Sequence, residues 1–153
     1  MQKTAYLSNS AKKAAIKKLK MAALIQFTMP GVPCIYYGDE NAQEGHIDPF
    51  CRLCYDWKNQ NTNLIAFYQQ LGKIRERYHD VFKDGEFQEI LCEDGLFCYK
   101  RYTENKSVYI FANNSSKSYI FNMPKEYINL LTNETGNNEW IIKPYSYGIF
   151  TEA

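Results

Sequence analysis

The stretch Gly31-Val-Pro-Cys-Ile-Tyr-Tyr-Gly-Asp-Glu40, continued by Asp48-Pro-Phe-Cys-Arg52, decides how the chain is read. Val32 to Tyr37 is a short apolar run rich in β-branched and aromatic residues, without polar alternation. Such a run predicts a strand buried on both faces, as in a parallel sheet or a barrel. Gly38-Asp39-Glu40 ends it and opens a loop of about 20 residues, a length that in compact proteins goes with function. Helices are predicted on both sides. In residues 8 to 30, Ile16, Leu19, Ala23, Leu24 and Phe27 form one apolar stripe, Ser8 to Ser10 offer N-caps, and Pro30-Gly31 ends the element. Lys12, Lys13, Lys17, Lys18 and Lys20 occupy the rest of its surface and read as a solvated face. In residues 62 to 82, Leu64, Phe67, Tyr68, Leu71, Ile74, Tyr78, Val81 and Phe82 follow the helical period, with Asn61 to Asn63 as caps. Helix, strand, loop and helix make one αβα stretch.

The pattern changes at Asp84-Gly85. Alternating runs at Phe87–Cys92, Leu96–Tyr102, Ser107–Ala112, Ser118–Met123, Tyr127–Leu131 and Trp140–Phe150 are separated by Gly- and Asn-bearing turns. Short strands with such turns predict an antiparallel sandwich and place a boundary near residue 84. Residues 1–83 then form one part and residues 84–153 the other.

The 153 residues are 45% hydrophobic and 16% aromatic, enough for a packed core and too apolar for a disordered chain. A net charge of +1 supplies no field that would drive the chain onto nucleic acid or an anionic membrane. No apolar run reaches the roughly 18 to 20 residues of a membrane helix. The five cysteines are odd in number and irregular in spacing, and they read as free thiols in a reducing cytoplasm. Cys51-x-x-Cys54 has no second such pair, and His46 and His79 stand at no ligand spacing to it, so no metal site is expected.

The loop after Gly38 carries the chemistry: Asp39, Glu40, Glu44, His46, Asp48, Arg52, Tyr55, Asp56 and Trp57. Polar hydroxylated ligands need charged groups that make paired hydrogen bonds, together with aromatic faces, and this loop offers both. Asp39 and Glu40 are adjacent. On extended backbone they point apart, a poor geometry for flanking one bond, so a role in ordering the loop is expected of them instead.

Pro33-Cys-Ile-Tyr-Tyr-Gly-Asp-Glu40 resembles the strand-eight signature of the α-amylase superfamily of glycoside hydrolases, nearest its neopullulanase and cyclomaltodextrinase branch. The resemblance implies an α+β chain: the last αβα portion of a (β/α)8 barrel, then an antiparallel β-sandwich C-terminal domain. Gly45-His-Ile-Asp48-Pro-Phe-Cys-Arg52 is similar to a family loop of the form Gly-x-Asp-Pro-x-x-Arg, with one residue more after Gly45. That similarity implies sugar binding by Asp48 and Arg52, to which Trp57 is added as a stacking platform; the competing role of the charged pair is a mutual salt bridge holding the loop. Lys3 stands near the family's basic position after strand seven, and Tyr145-Ser-Tyr-Gly-Ile-Phe150 resembles the closing strand of the C-terminal domain. The family's three catalytic carboxylates lie upstream of this motif, and no residue here matches them. The chain is therefore expected to be the C-terminal part of a larger retaining α-glucan hydrolase or transglycosylase that needs no cofactor, and to be inactive alone. The alternatives are a non-catalytic carbohydrate-binding or structural module, and an amylase-like protein whose barrel serves assembly. A barrel strand without its neighbours leaves unpaired edges and apolar surface, so a homo-oligomer is also expected.

Overall fold

The computed structural model describes residues 7–45, 48, 51–123, 125–137 and 139–153. Lys3 lies outside the described residues, as does His46. Helix α1 spans Asn9–Thr28; the Ser8 hydroxyl caps it by accepting from the Ala11 N–H at 3.3 Å. Its inner face presents Ala23, Leu24 and Phe27. Helix α2, Thr62–Arg77, is capped by the Asn61 side chain, which accepts from the Leu64 N–H at 3.1 Å. The single helix expected to residue 82 breaks at Tyr78 (φ −112°, ψ 36°) and resumes as α3, His79–Lys83. The break turns Val81 and Phe82 into the same apolar cluster as Leu71 and Ile74.

The strand expected at Val32–Tyr37 does not form. The segment carries no ladder, Val32 is 91% exposed, and Ile35, Tyr36 and Tyr37 are exposed with it. A strand exists through hydrogen bonds to its neighbours. Among the described residues every ladder is antiparallel and the first strand starts at Glu86, so no parallel partner is present. The αβα stretch is thus helix, extended segment and helix. Side chains fasten the segment instead: Gln26 donates to the Cys34 carbonyl at 2.6 Å, and Arg75 donates to the carbonyls of Gly31 at 2.5 Å and Phe27 at 2.7 Å.

The remaining chain forms β1 (Glu86–Glu93), β2 (Leu96–Tyr102), β3 (Ser107–Asn113), β4 (Tyr119–Asn122), β5 (Tyr127–Asn129), β6 (Thr135–Gly136), β7 (Glu139–Ile142) and β8 (Ser146–Glu152). Six of these make one antiparallel sheet in the order β1-β2-β3-β8-β5-β6, and β4 pairs with β7 in a separate ribbon. The single strand expected over Trp140–Phe150 is two strands in different sheets, parted at a turn where Tyr145 takes a φ of +50°. Fully buried Asn113 holds this corner. Its amide donates to the carbonyls of Lys117 and Lys143 at 2.8 and 2.9 Å, so both ribbon strands are pinned to the end of β3, inside the large sheet. Strand β6 falls where only a turn was expected; Gly136 there lies so close to the Tyr127 ring that a Cβ would collide with it.

Strand periodicity sends alternate residues to opposite faces. Tyr99, Val108, Ile110 and Ile149 join the helices' cluster, while Leu96, Cys98, Tyr109, Phe111 and Phe150 join a second cluster with Tyr127 and Ile142. The large sheet is therefore sandwiched between helices on one face and the ribbon on the other. The boundary expected near residue 84 falls between α3 and β1, and the first cluster runs across it.

Two polar side chains join helices to sheet. The Tyr99 hydroxyl meets the Thr28 hydroxyl at 2.5 Å, and burial pushes the Tyr99 pKa up to about 12. Arg101, 2% exposed, donates to the carbonyls of Gly85 (2.8 Å), Phe82 (3.1 Å), Glu86 (3.2 Å) and Thr28 (3.4 Å). Thr28 and Phe82 lie at the C-terminal ends of α1 and α3, where orphan carbonyls carry partial negative charge. Replacing Arg101 by Met strands these acceptors and is expected to lower stability by about 3 kcal/mol, with Lys restoring only part because it lacks the planar fork. Urea unfolding of the three proteins measures both effects.

Candidate functional site

The loop after the extended segment is built on amides. Gly38, at a φ of +93°, starts a 3-10 turn over Asp39–Asn41, and Ala42 closes it at a φ of +53°. The Glu40 carboxylate turns back to accept the Gly38 N–H at 3.0 Å, which orders the turn. Burial, then the neighbouring Glu40 charge, raises the Asp39 carboxyl above its ordinary value. Buried Asn41 donates to the Asp56 carbonyl at 3.2 Å and accepts from the Asn61 N–H at 2.6 Å. Gln43 donates to the Cys54 carbonyl at 2.9 Å and accepts from the Asp56 N–H at 3.2 Å. Two side chains thereby draw the far limb of the loop back onto its start. Glu44 anchors the near limb to α1, with Lys12 at 3.3 Å and the Leu7 N–H at 2.9 Å.

These contacts leave an open cleft of about 640 Å³ lined by Lys12, Asn41, Gln43, Glu44, Tyr55 and Asp56 among others. The residues expected to bind ligand lie farther along the same loop. Arg52 pairs with Asp48 at 3.1 Å, both largely exposed, and the same Asp48 oxygen accepts the Cys51 thiol at 3.7 Å. Trp57 is 77% exposed, with its ring 4.6 Å from that of Tyr55 and tilted by 52°. The structure thus joins Asp48 to Arg52 and sets Trp57 against Tyr55. A second aromatic pair, Tyr36 and Tyr37, stands 4.8 Å apart at the loop's entrance. The Tyr37 hydroxyl donates to the Leu53 carbonyl at 3.1 Å. Its pKa is raised by the side-chain hydrogen bond with Tyr36, then by slight desolvation and the charges of Tyr36, Cys54 and Cys51.

Among the described residues no three His, Cys, Asp or Glu side chains gather as they would around a metal, and no helix is long and apolar enough to cross a membrane. The structural roles of Asn41 and Gln43 escaped the sequence, because an amide in a loop gives no sign of whether it meets water or backbone.

No protein-family profile matches the chain. Over 130 residues, 84% of this chain, it is 35% identical to a cyclomaltodextrinase of Thermoanaerobacter pseudethanolicus, and over 128 residues, 81% of it, 30% identical to neopullulanase 2 of Thermoactinomyces vulgaris. Among solved structures, an Anoxybacillus α-amylase superposes with a TM-score of 0.83 at 26% identity, covering 90% of this chain and 32% of that one. The chain is a relative of the α-amylase family. A solved cyclomaltodextrinase aligns with a TM-score of 0.77 at 27% identity, covering 92% of this α-amylase relative and 26% of that chain. It spans 21% of the length of the Thermoanaerobacter enzyme and 20% of the Thermoactinomyces one.

Loss of either amide is expected to free the loop while sparing the sheet. In Asn41→Ala and Gln43→Ala, hydrogen exchange should speed up across residues 53–59 and stay unchanged in β2 and β3. The turn at Asp56 adds a pH test. Its carboxylate accepts from Lys58 N–H, Asn59 N–H and the Asn59 amide at 3.0 to 3.1 Å, and hydrogen bonding to Asn59 chiefly lowers its pKa below the ordinary 3.8. A depressed folded pKa means the turn is fully held above that ordinary value and is lost as pH falls through the lower, folded one. Amide NMR shifts of Lys58 and Asn59 should follow that acidic titration and stay flat at neutral pH.

Proposed function

We propose that this chain supplies the C-terminal part of an enzyme acting on α-glucans, a glycoside hydrolase of the neopullulanase and cyclomaltodextrinase kind. Residues 1–83 would be the last portion of a (β/α)8 barrel and residues 84–153 its all-β C-terminal domain. What supports this most is the 35% identity to a cyclomaltodextrinase across 84% of the chain, which includes the loop just described. In the intact protein the mechanism is retaining: one carboxylate forms a glycosyl-enzyme intermediate while a second serves as acid and then base. No residue here matches either, so this chain's contribution is to bind and orient substrate. Barrel enzymes place substrate contacts in the loops after their strands. On that pattern the 38–57 loop faces the sugar, with Asp48 and Arg52 bonding hydroxyls and Trp57 offering a ring face to an α-glucan oligosaccharide.

The mutual pairing of Asp48 and Arg52 also supports the second reading, a non-catalytic carbohydrate-binding or assembly module in which that pair only holds the loop. The two readings part in experiment. Alone, the chain should release no reducing sugar from starch, pullulan or cyclodextrin. In the intact protein, Asp48→Ala or Arg52→Ala should weaken oligosaccharide binding by about 1.5 to 3 kcal/mol without lowering the melting temperature. Unchanged kinetics on short and long substrates in both variants would leave the loop-holding role.

The exposed Val32, Ile35, Tyr36 and Tyr37 favour self-association of the isolated chain. Light scattering should detect a dimer or larger species, and a monodisperse monomer would overturn that expectation.

A further inference from the structure

Cys51 and Cys54 are the sequence feature that sugar binding does not use. Both are free thiols, Cys51 half-buried and Cys54 exposed, on a segment that bends at Arg52. Its two limbs are fastened nearby, Leu53 to the Tyr37 hydroxyl and Cys54 to the Gln43 amide through their carbonyls. A disulfide requires roughly 4.4 to 6.8 Å between Cα atoms, and the bend at Arg52 turns the chain between the two cysteines. Asp48 Oδ1 accepts from the Cys51 thiol and from Arg52 Nε together, so the state of Cys51 bears directly on that ion pair.

We propose that Cys51 and Cys54 form a reversible dithiol–disulfide couple whose closure withdraws the Cys51 hydrogen bond from Asp48 and confines Arg52 within a small ring. The oxidant is a low-molecular-weight disulfide. The exposed Cys54 thiolate attacks one sulfur of oxidised glutathione, the reagent's S–S bond breaks, and one glutathione thiolate leaves. The Cys51 thiolate then attacks the Cys54 sulfur of the mixed disulfide and expels the second glutathione. Two electrons pass from the cysteines to the reagent, and the two cysteine protons end on the two glutathione thiols. Reduced glutathione in excess runs both exchanges backwards. Exposed disulfides of this kind are the labile, regulatory ones, and transient bonds of this type fit a reducing compartment. Loss of the S–H removes one of the two donors on Asp48 Oδ1, and ring closure fixes the backbone on both sides of Arg52.

The chemistry stands apart from sugar binding and is tested without it. The whole 153-residue chain is treated with oxidised glutathione and mapped by mass spectrometry. Cys34 and Cys92, exposed and without a neighbour at this spacing, serve as internal controls that should retain glutathione. Cys98, which is buried with a pKa raised to about 12, should stay a thiol. The Cys51–Cys54 peptide should carry no glutathione and weigh two hydrogens less than its reduced form. Trypsin, which cuts after Arg52 in the reduced chain, should lose that cleavage on oxidation and regain it with reduced glutathione. In Cys51→Ser the reaction should stop with glutathione on Cys54. Glutathione kept on either residue in the unaltered chain, a bridge to any other cysteine, no reaction at the pair, or unchanged cleavage after Arg52 would each overturn the proposal.

Discussion

The guanidinium of Arg101 holds the fold's layers in register. It lies near the end of β2, turned to the helix side of the sheet, where its fork reaches four main-chain carbonyls at the ends of α1 and α3 and around the start of β1. Helix ends leave carbonyls without partners, and burying them unpaired is costly. One planar cation meets several of them and complements the negative ends of two helix dipoles. Thr28 takes part twice, giving its carbonyl to Arg101 and its hydroxyl to Tyr99, so that α1 ends against the face of β2. The direction in which α1 hands the chain to the loop follows from this junction.

The loop repeats the device on a smaller scale. Asn41 and Gln43 use amides to close main-chain groups that no ladder satisfies, and Glu44 ties the result to α1. Their bonds hold the base of the loop and leave its outer limb, with Asp48, Arg52 and Trp57, facing solvent. The proposed contact with a hydroxyl-rich ligand rests on that division, because exposed charged and aromatic groups can exchange water for ligand while the base stays in place. The Asp48–Arg52 pair is exposed, so little stability rests on it and either partner is free to turn toward a ligand.

Much of the architecture was legible. The apolar stripes of α1 and α2, their Ser8 and Asn61 caps, and strands β1 to β3 appear where periodicity placed them, because each rests on residues close in sequence. Three features were not. Val32–Tyr37 has a buried strand's composition, yet ladder bonds come from other segments, and the described chain provides none for it. The helix from Thr62 keeps its apolar period through Tyr78, so nothing local marks the break that turns Val81 and Phe82 inward. The run from Trp140 to Phe150 carries a break at Lys143-Pro144, but that its halves join different sheets depends on Asn113, distant in sequence.

The candidate site divides the same way. The signature from Pro33 to Glu40, the charged and aromatic residues of the loop, and the thiol spacing at Cys51 and Cys54 are determined by the sequence itself, since residue type and separation are all they require. The salt bridge of Asp48 with Arg52 was one of two readings the sequence left open, and only the folded chain decided that Asp48 also meets Cys51, that Trp57 leans on Tyr55, and that Asn41 and Gln43 hold the loop. The reason is physical. A helix stripe or a strand period is set by bonds a few residues long, whereas the partner of a charge, a thiol or an amide is whichever group the folded backbone brings within about 3 Å of it.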